Sequence, residues 1–96
     1  MARFLFDEGK MRDVDQKDRE ILVEELLKAN TKEKMDNLLS GLLTPKEIEE
    51  FAERIRIVQL LKKGIGQHTI AAKLHIGVAT VTRGSKELQK GNFITV

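Results

Sequence analysis

Apolar positions along this chain recur at helical spacing, three, four and seven residues apart, and only briefly at strand spacing. From Asp13 or Asp15 onward, Ile21, Leu22, Leu26 and Leu27 form one stripe beside Glu24 and Glu25, which predicts a first helix. Ala29-Asn30-Thr31 interrupts it, and either Asn30 or Thr31 can cap a second helix carrying Met35, Leu38, Leu39 and Leu42. Gly41 lies inside that run and weakens it locally.

The clearest start signal is Thr44-Pro45-Lys46-Glu47. Thr44 can accept from the backbone N–H of Glu47 while Glu47 reaches back to the N–H of Thr44. Pro45 suits the first helical position, where its missing donor is not needed. Ile48, Phe51, Ala52, Ile55, Val58 and Leu61 then mark an apolar face belonging to a core or a dimer seam, with Phe51 assigned to the core. Lys62-Lys63 favours the negative helix end and Gly64 supplies the stop, so 45–63 reads as one long helix.

After Gly64-Ile65-Gly66 come two short helical segments, about 67–74 and 78–90, separated by His75-Ile76-Gly77. Val78 to Val81 suits a strand by composition, but its spacing belongs to a helix-turn-helix. In that motif Ala71 supplies the small side chain where the helices cross closely, and Ile70, Leu74, Ile76 and Val81 fill the wedge between them. The second helix must keep short side chains on its N-terminal outer face to enter a major groove, and Val78, Ala79, Thr80 and Thr82 are short. Their hydroxyls and methyls can meet base edges and thymine methyls. His75 stands at the turn position usually given to Gly; histidine tolerates positive φ better than most residues. An ordinary helical hairpin over 65–90 is the alternative.

Composition narrows the picture. Ninety-six residues, 41% hydrophobic and 33% charged, make one domain of amphipathic helices whose modest core a second subunit can complete. The expected organisation is a flexible arm at 1–12 and a single helical domain at 13–96. Within it, 13–63 supplies core and dimerisation helices and 64–90 the reading head. No cysteine is present, which removes disulfides and zinc–cysteine sites, and His68 and His75 lack metal-ligand spacing. No apolar run approaches the ~18 residues of a membrane span, so a cytoplasmic protein without a membrane partner is expected. The net charge of +2 is unevenly spread: residues 1–51 carry −4 and residues 52–96 carry +6, the asymmetry expected when one half faces a polyanion. No nucleophile–base set, metal cluster or phosphate loop points to an enzyme.

The stretch Thr44–Leu88 resembles the tryptophan repressor family. The resemblance rests on Leu43-Thr44-Pro45 with Glu47, Arg54-Ile55-Arg56-Ile57-Val58, Gly64, Gln67, and above all Ala79-Thr80-Val81-Thr82-Arg83-Gly84-Ser85. It implies an all-α short-helix bundle, an intertwined homodimer with two reading heads, and an amino-acid corepressor, L-tryptophan, seated between the long central helix and the recognition helix. Arg54 and Arg83 resemble the arginines that sandwich the ligand ring, and Arg83 and Thr44 the groups that take its carboxylate. Gly84 matches the residue that makes room for the ring, and Thr80 adjoins it. The main-chain oxygens of Gly41 and Leu43 are implied receivers of the ligand amine. Gln67, His68, Val78, Ala79, Thr80 and Thr82 fall at DNA-contacting positions, with Lys86 and Lys90 near phosphate. Glu87 departs from the pattern: a serine often stands there. Its carboxylate can take the amine, or pair with Arg83 and hold the site shut. The expected function is a sequence-specific DNA-binding repressor gated by a small ligand and needing no other cofactor. The alternatives are a ligand-independent DNA-binding regulator and a helical module that docks on a protein through its acidic N-terminal half.

Overall fold

The computed structural model describes residues 8–96, with side chains from Asp15 onward. Among the described residues it is all α-helical, with α1 (Glu8–Lys28), α2 (Lys32–Leu42), α3 (Pro45–Lys62), α4 (Gln67–Leu74) and α5 (Val78–Gln89). They belong to two compact units, one ending at Leu43 and the other running Thr44–Val96. No described helix is long and apolar enough to cross a membrane, and no three described His, Asp or Glu residues gather as a metal site would need.

In the first unit α1 begins at Glu8, ahead of the start expected at Asp13 or Asp15. Between Glu8 and Glu20 the sequence holds one Gly and no Pro among mostly favourable helix formers, so nothing stops the helix at Asp13. The arm expected over 1–12 therefore yields residues 8–12 to α1; residues 1–7 lie outside the described residues. Lys28 closes the last turn by donating to Glu25 at 2.7 Å, and this hydrogen bond, with the carboxylate's charge, raises the lysine above its ordinary pKa of 10.5. Of the two candidate caps for α2 it is Thr31 that acts, its Oγ1 accepting from the Lys34 N–H at 3.1 Å. Leu26, Met35, Leu38 and Leu39 are half-buried, Ile21, Leu22, Val23 and Leu27 are exposed, and α2 buries no residue fully.

The second unit has a true core. Its frame is set by caps. The Glu47 N–H donates to Thr44 Oγ1 at 3.1 Å and the Thr44 N–H to Glu47 Oε1 at 2.8 Å, so the expected capping box forms, with Pro45 just inside it. At the other end Gly64 takes φ +84°. That left-handed step lets Gly64 N–H reach the Leu61 carbonyl at 2.9 Å and Ile65 N–H the Leu60 carbonyl at 3.2 Å. Helix α4 ends the same way with a histidine in the glycine's place. His75 sits at φ 58°, ψ 46°, and Ile76 N–H donates to Ala71 O at 3.0 Å.

Those two reversals fold α4 and α5 against α3. Ile57 from α3, Ile70 and Ala71 from α4 and Val81 from α5 form the buried cluster, and Leu60, Leu61, Ile65, Leu74 and Ile76 pack around it. Removing one of the fully buried side chains, as in Ile70→Ala, belongs to the class of change that costs about 2–5 kcal/mol. A Cβ on Gly84 would lie 3.0 Å from Ile57 Cγ2, so α5 meets α3 there as closely as a residue without a side chain allows. The end after α5 is irregular, as expected, but tethered: Lys62 Nζ donates to the main-chain oxygens of Phe93 at 2.6 Å and Val96 at 2.7 Å. Phe51 is a correction. Expected in the core, it is 44% exposed: it shares a face of α3 with Val58 but lies two turns nearer the N-terminal end, ahead of the buried stretch at Ile57 and Val58.

The left-handed turn generates a prediction. His75→Val places a β-branched side chain at positive φ and is expected to lower the unfolding free energy by about 1–2 kcal/mol. In urea unfolding His75→Gly, which relieves the same strain, should not lower it.

Candidate nucleic-acid interface

Helix α5 begins at an extended Gly77, φ −72° and ψ 145°, whose N-cap makes no side-chain hydrogen bond. From that start the helical period decides which residues face the core. Val81 is 0% exposed, wedged beside Ile70; Val78, Ala79 and Thr80, in the preceding turn, are exposed. The result is a first turn with short side chains and no acidic residue. On α4, Gln67 is half-buried and His68 exposed. Thr82 is half-buried between the two helices, its hydroxyl 2.6 Å from Gln67 Oε1 and 3.0 Å from the main-chain oxygen of Val78. Farther along α5, Arg83, Lys86 and Lys90 are exposed. These three and Lys73 are the basic residues of segment 64–96, against a single acid, Glu87.

Glu87 is occupied. Lys90 Nζ donates to its Oε2 and Asn92 Nδ2 to its Oε1, each at 2.9 Å. The hydrogen bond from Lys90 does most to hold the Glu87 carboxyl below its ordinary 4.5; the lysine's charge and the bond from Asn92 add to it. Among the described residues Arg83 makes no ion pair, so the Arg83–Glu87 contact weighed from the sequence is not formed.

The residues expected around a ligand stand as follows. Thr44 is engaged as the cap of α3, with its hydroxyl accepting. The Arg54 guanidinium lies 5.5 Å from the centroid of the Phe51 ring, within cation–π range. Gly84 faces Ile57, and that neighbour fills the space its missing side chain leaves. Gly41 is in the last turn of α2 and Leu43 is its extended C-cap; both belong to the first unit. A solvent-open recess of about 410 Å³ along α3 is lined by Lys46, Glu49, Glu50 and Glu53, and none of the expected ligand residues lines it.

Sequence reasoning missed four contacts here: Thr82 to Gln67, Lys90 and Asn92 to Glu87, and Arg54 over Phe51. The last was open to view, since residues three apart on a helix are neighbours. The Thr82–Gln67 contact joins residues on different helices, and nothing in the local pattern announces it.

A short helix whose bare first turn stands clear of the core, set against α4 by a left-handed turn, is a recognition helix by form. The class of the protein is helix-turn-helix. Comparison with known sequences carries this further. The family model described as Trp repressor protein matches residues 17–93. A Trp operon repressor homolog of Vibrio vulnificus (strain YJ016) is 43% identical over 67 residues, 68% of this chain and 66% of that protein. One from Xylella fastidiosa (strain M23) is 35% identical over 75 residues, 77% of this chain and 82% of the other. Another, from Vibrio campbellii, is 38% identical over 74 residues, 76% of this chain and 74% of the other. The match to the Vibrio vulnificus protein thus spans just under two thirds of its length. The chain belongs to the Trp repressor protein family, a family of transcriptional regulators rather than enzymes.

The Glu87 network gives a pH prediction. Because its folded-state value is depressed, the stabilisation it brings is complete above the unfolded-state value and is lost as pH falls through the folded one. Side-chain NMR titration should place the Glu87 carboxyl below 4.5. Lys90→Met should move it upward, and Asn92→Ala should move it by less.

Proposed function

We propose that this protein is a sequence-specific DNA-binding transcriptional repressor acting in the cytoplasm as a homodimer, with its operator affinity set by an amino-acid corepressor, L-tryptophan foremost. The observation that carries the reading is the exposed first turn of α5, Val78, Ala79 and Thr80, backed by a buried Val81 in a chain of this family. Such a turn can enter a major groove, where methyl groups meet thymine and hydroxyls meet base edges and phosphates. Gln67 and His68 flank it from α4; Lys86 supplies charge for the backbone, and Lys90 can add to it by exchanging Glu87 for a phosphate.

Three features favour ligand control. The Arg83 guanidinium has no carboxylate partner among the described residues and is free to take one from a ligand. The Arg54 guanidinium already lies over one aromatic ring and can offer its free side to a second. The Thr44 hydroxyl accepts in the cap but keeps its own proton for a ligand carboxylate. On this reading Glu87, already bonded, adds negative charge for the ligand amine. Thr80 and Gly84 border the ring, Gly84 by its backbone alone, since Ile57 takes the space beside it. The dimer is favoured by the first unit: Ile21, Leu22, Val23 and Leu27 remain exposed, and covering what each still shows with a second copy is worth part of the about 1.5–3 kcal/mol that full burial brings.

The test is a duplex selected from a random-sequence pool, with binding followed by anisotropy. Ala79→Glu places a carboxylate in the bare turn and should weaken binding by about tenfold or more with thermal unfolding unchanged. Indifference to it would sink the reading. The chain has no Trp and no Tyr, so tryptophan fluorescence reports binding without protein background. Arg83→Lys should weaken tryptophan binding about tenfold. If tryptophan binds no better than other amino acids and leaves duplex affinity unchanged, it is not the corepressor. A monomer by sedimentation would refute the dimer.

A further inference from the structure

A threonine inside a helix ordinarily turns its hydroxyl to the carbonyl four residues back. For Thr82 that oxygen, on Val78, is 3.0 Å away, but Gln67 Oε1 on α4 is nearer, at 2.6 Å. A hydroxyl has one proton to give. Donated to Gln67, it makes the carboxamide oxygen the held end of that side chain and Nε2, with two protons, the outward end. Among the described residues Gln67 Nε2 has no partner. Thr82 itself is half-buried and both its near acceptors belong to the protein, which leaves it poorly placed to serve a second molecule. It also lies on the stripe of α5 that carries Val78 and Ala79, four and three residues before it, so the pair adjoins the exposed first turn.

We propose that Thr82 acts on DNA as a positioning residue: it fixes the Gln67 carboxamide so that the Nε2 donors face a phosphate oxygen of the duplex, and makes no contact of its own. The inference rests on the DNA-binding reading above. A phosphate oxygen accepts and never donates, so a glutamine held by its oxygen is matched to it, whereas a loose glutamine presents either end. Ordering the side chain before binding also removes an entropic loss from the binding step.

A double-mutant cycle on the duplex selected by the wild-type protein tests this. Thr82→Val keeps the shape and deletes the hydroxyl, Thr82→Ser keeps the hydroxyl, and Gln67→Leu deletes the donors. Thr82→Val and Gln67→Leu should each weaken binding about tenfold, and the double variant should be no weaker than either. Thr82→Ser should bind as the wild type does. Losses that multiply to about a hundredfold in the double variant would mean that Thr82 touches DNA directly, and would overturn the proposal. So would a Thr82→Val loss that persists in the Gln67→Leu background alongside a falling Tm, which marks a bond that merely stiffens the helix pair. Failure of the wild-type protein to enrich any duplex would overturn the DNA reading with it; the other adverse outcomes leave that reading standing.

Discussion

Ile57 is where the second unit is held together. It sits on α3 with 1% of its surface exposed, shares a cluster with Ile70 and Ala71 of α4 and Val81 of α5, and lies against Gly84 so closely that a Cβ there would stand 3.0 Å from its Cγ2. A side chain at 84 would need Ile57 to give by a few tenths of an ångström. The missing side chain at 84 and the bulk at 57 are therefore one constraint. Together they set how α5 lies on α3, which turns Val81 inward and leaves Val78, Ala79 and Thr80 outside. The exposed turn made this way is a by-product of core packing.

Polar contacts are arranged around that core rather than within it. No polar or charged residue is buried among those described. Glu87 with Lys90 and Asn92 secures the end of α5, and Lys62 ties the following segment to α3. Surface bonds of this kind add little stability. Their effect is to settle which charges are already spoken for: Lys90 and Glu87 are engaged, and Arg83 stays free for a carboxylate or a phosphate. Exposed residues of both signs on α5 thus differ in availability, which a charge count does not reveal.

The two units solve the burial problem differently. The second closes on itself around Ile57. The first presents amphipathic helices with no fully buried residue among those described, and its large apolar side chains remain in contact with solvent. Helices with such faces draw most of their stability from packing against something else. That is why the proposed second copy concerns the first unit's stability, while the proposed DNA reading concerns the second unit's exposed turn.

Much of this was open to a reader of the sequence, because caps, periods and turn residues act over three or four positions. The Thr44–Glu47 box, the Thr31 cap, the stop at Gly64, the bounds of α4 and the wedge of Ile70 and Val81 are all local in that sense. The left-handed turn at His75 was legible too, from a residue standing where glycine is usual. What lay beyond reach depends on how one helix is set against another. Phe51 and Val58 share one face of α3, and only the place along that helix where α4 and α5 pack decides that Val58 is buried and Phe51 is not. Thr82 with Gln67, fifteen positions apart, and Lys62 with Phe93 and Val96, thirty-one and thirty-four apart, have no local signature. Glu87 had a lysine and an arginine within one turn, and the helix end with Asn92 beside it decided for the lysine. Short-range chemistry is written in the order of residues; the choice among long-range partners is made only when the core closes.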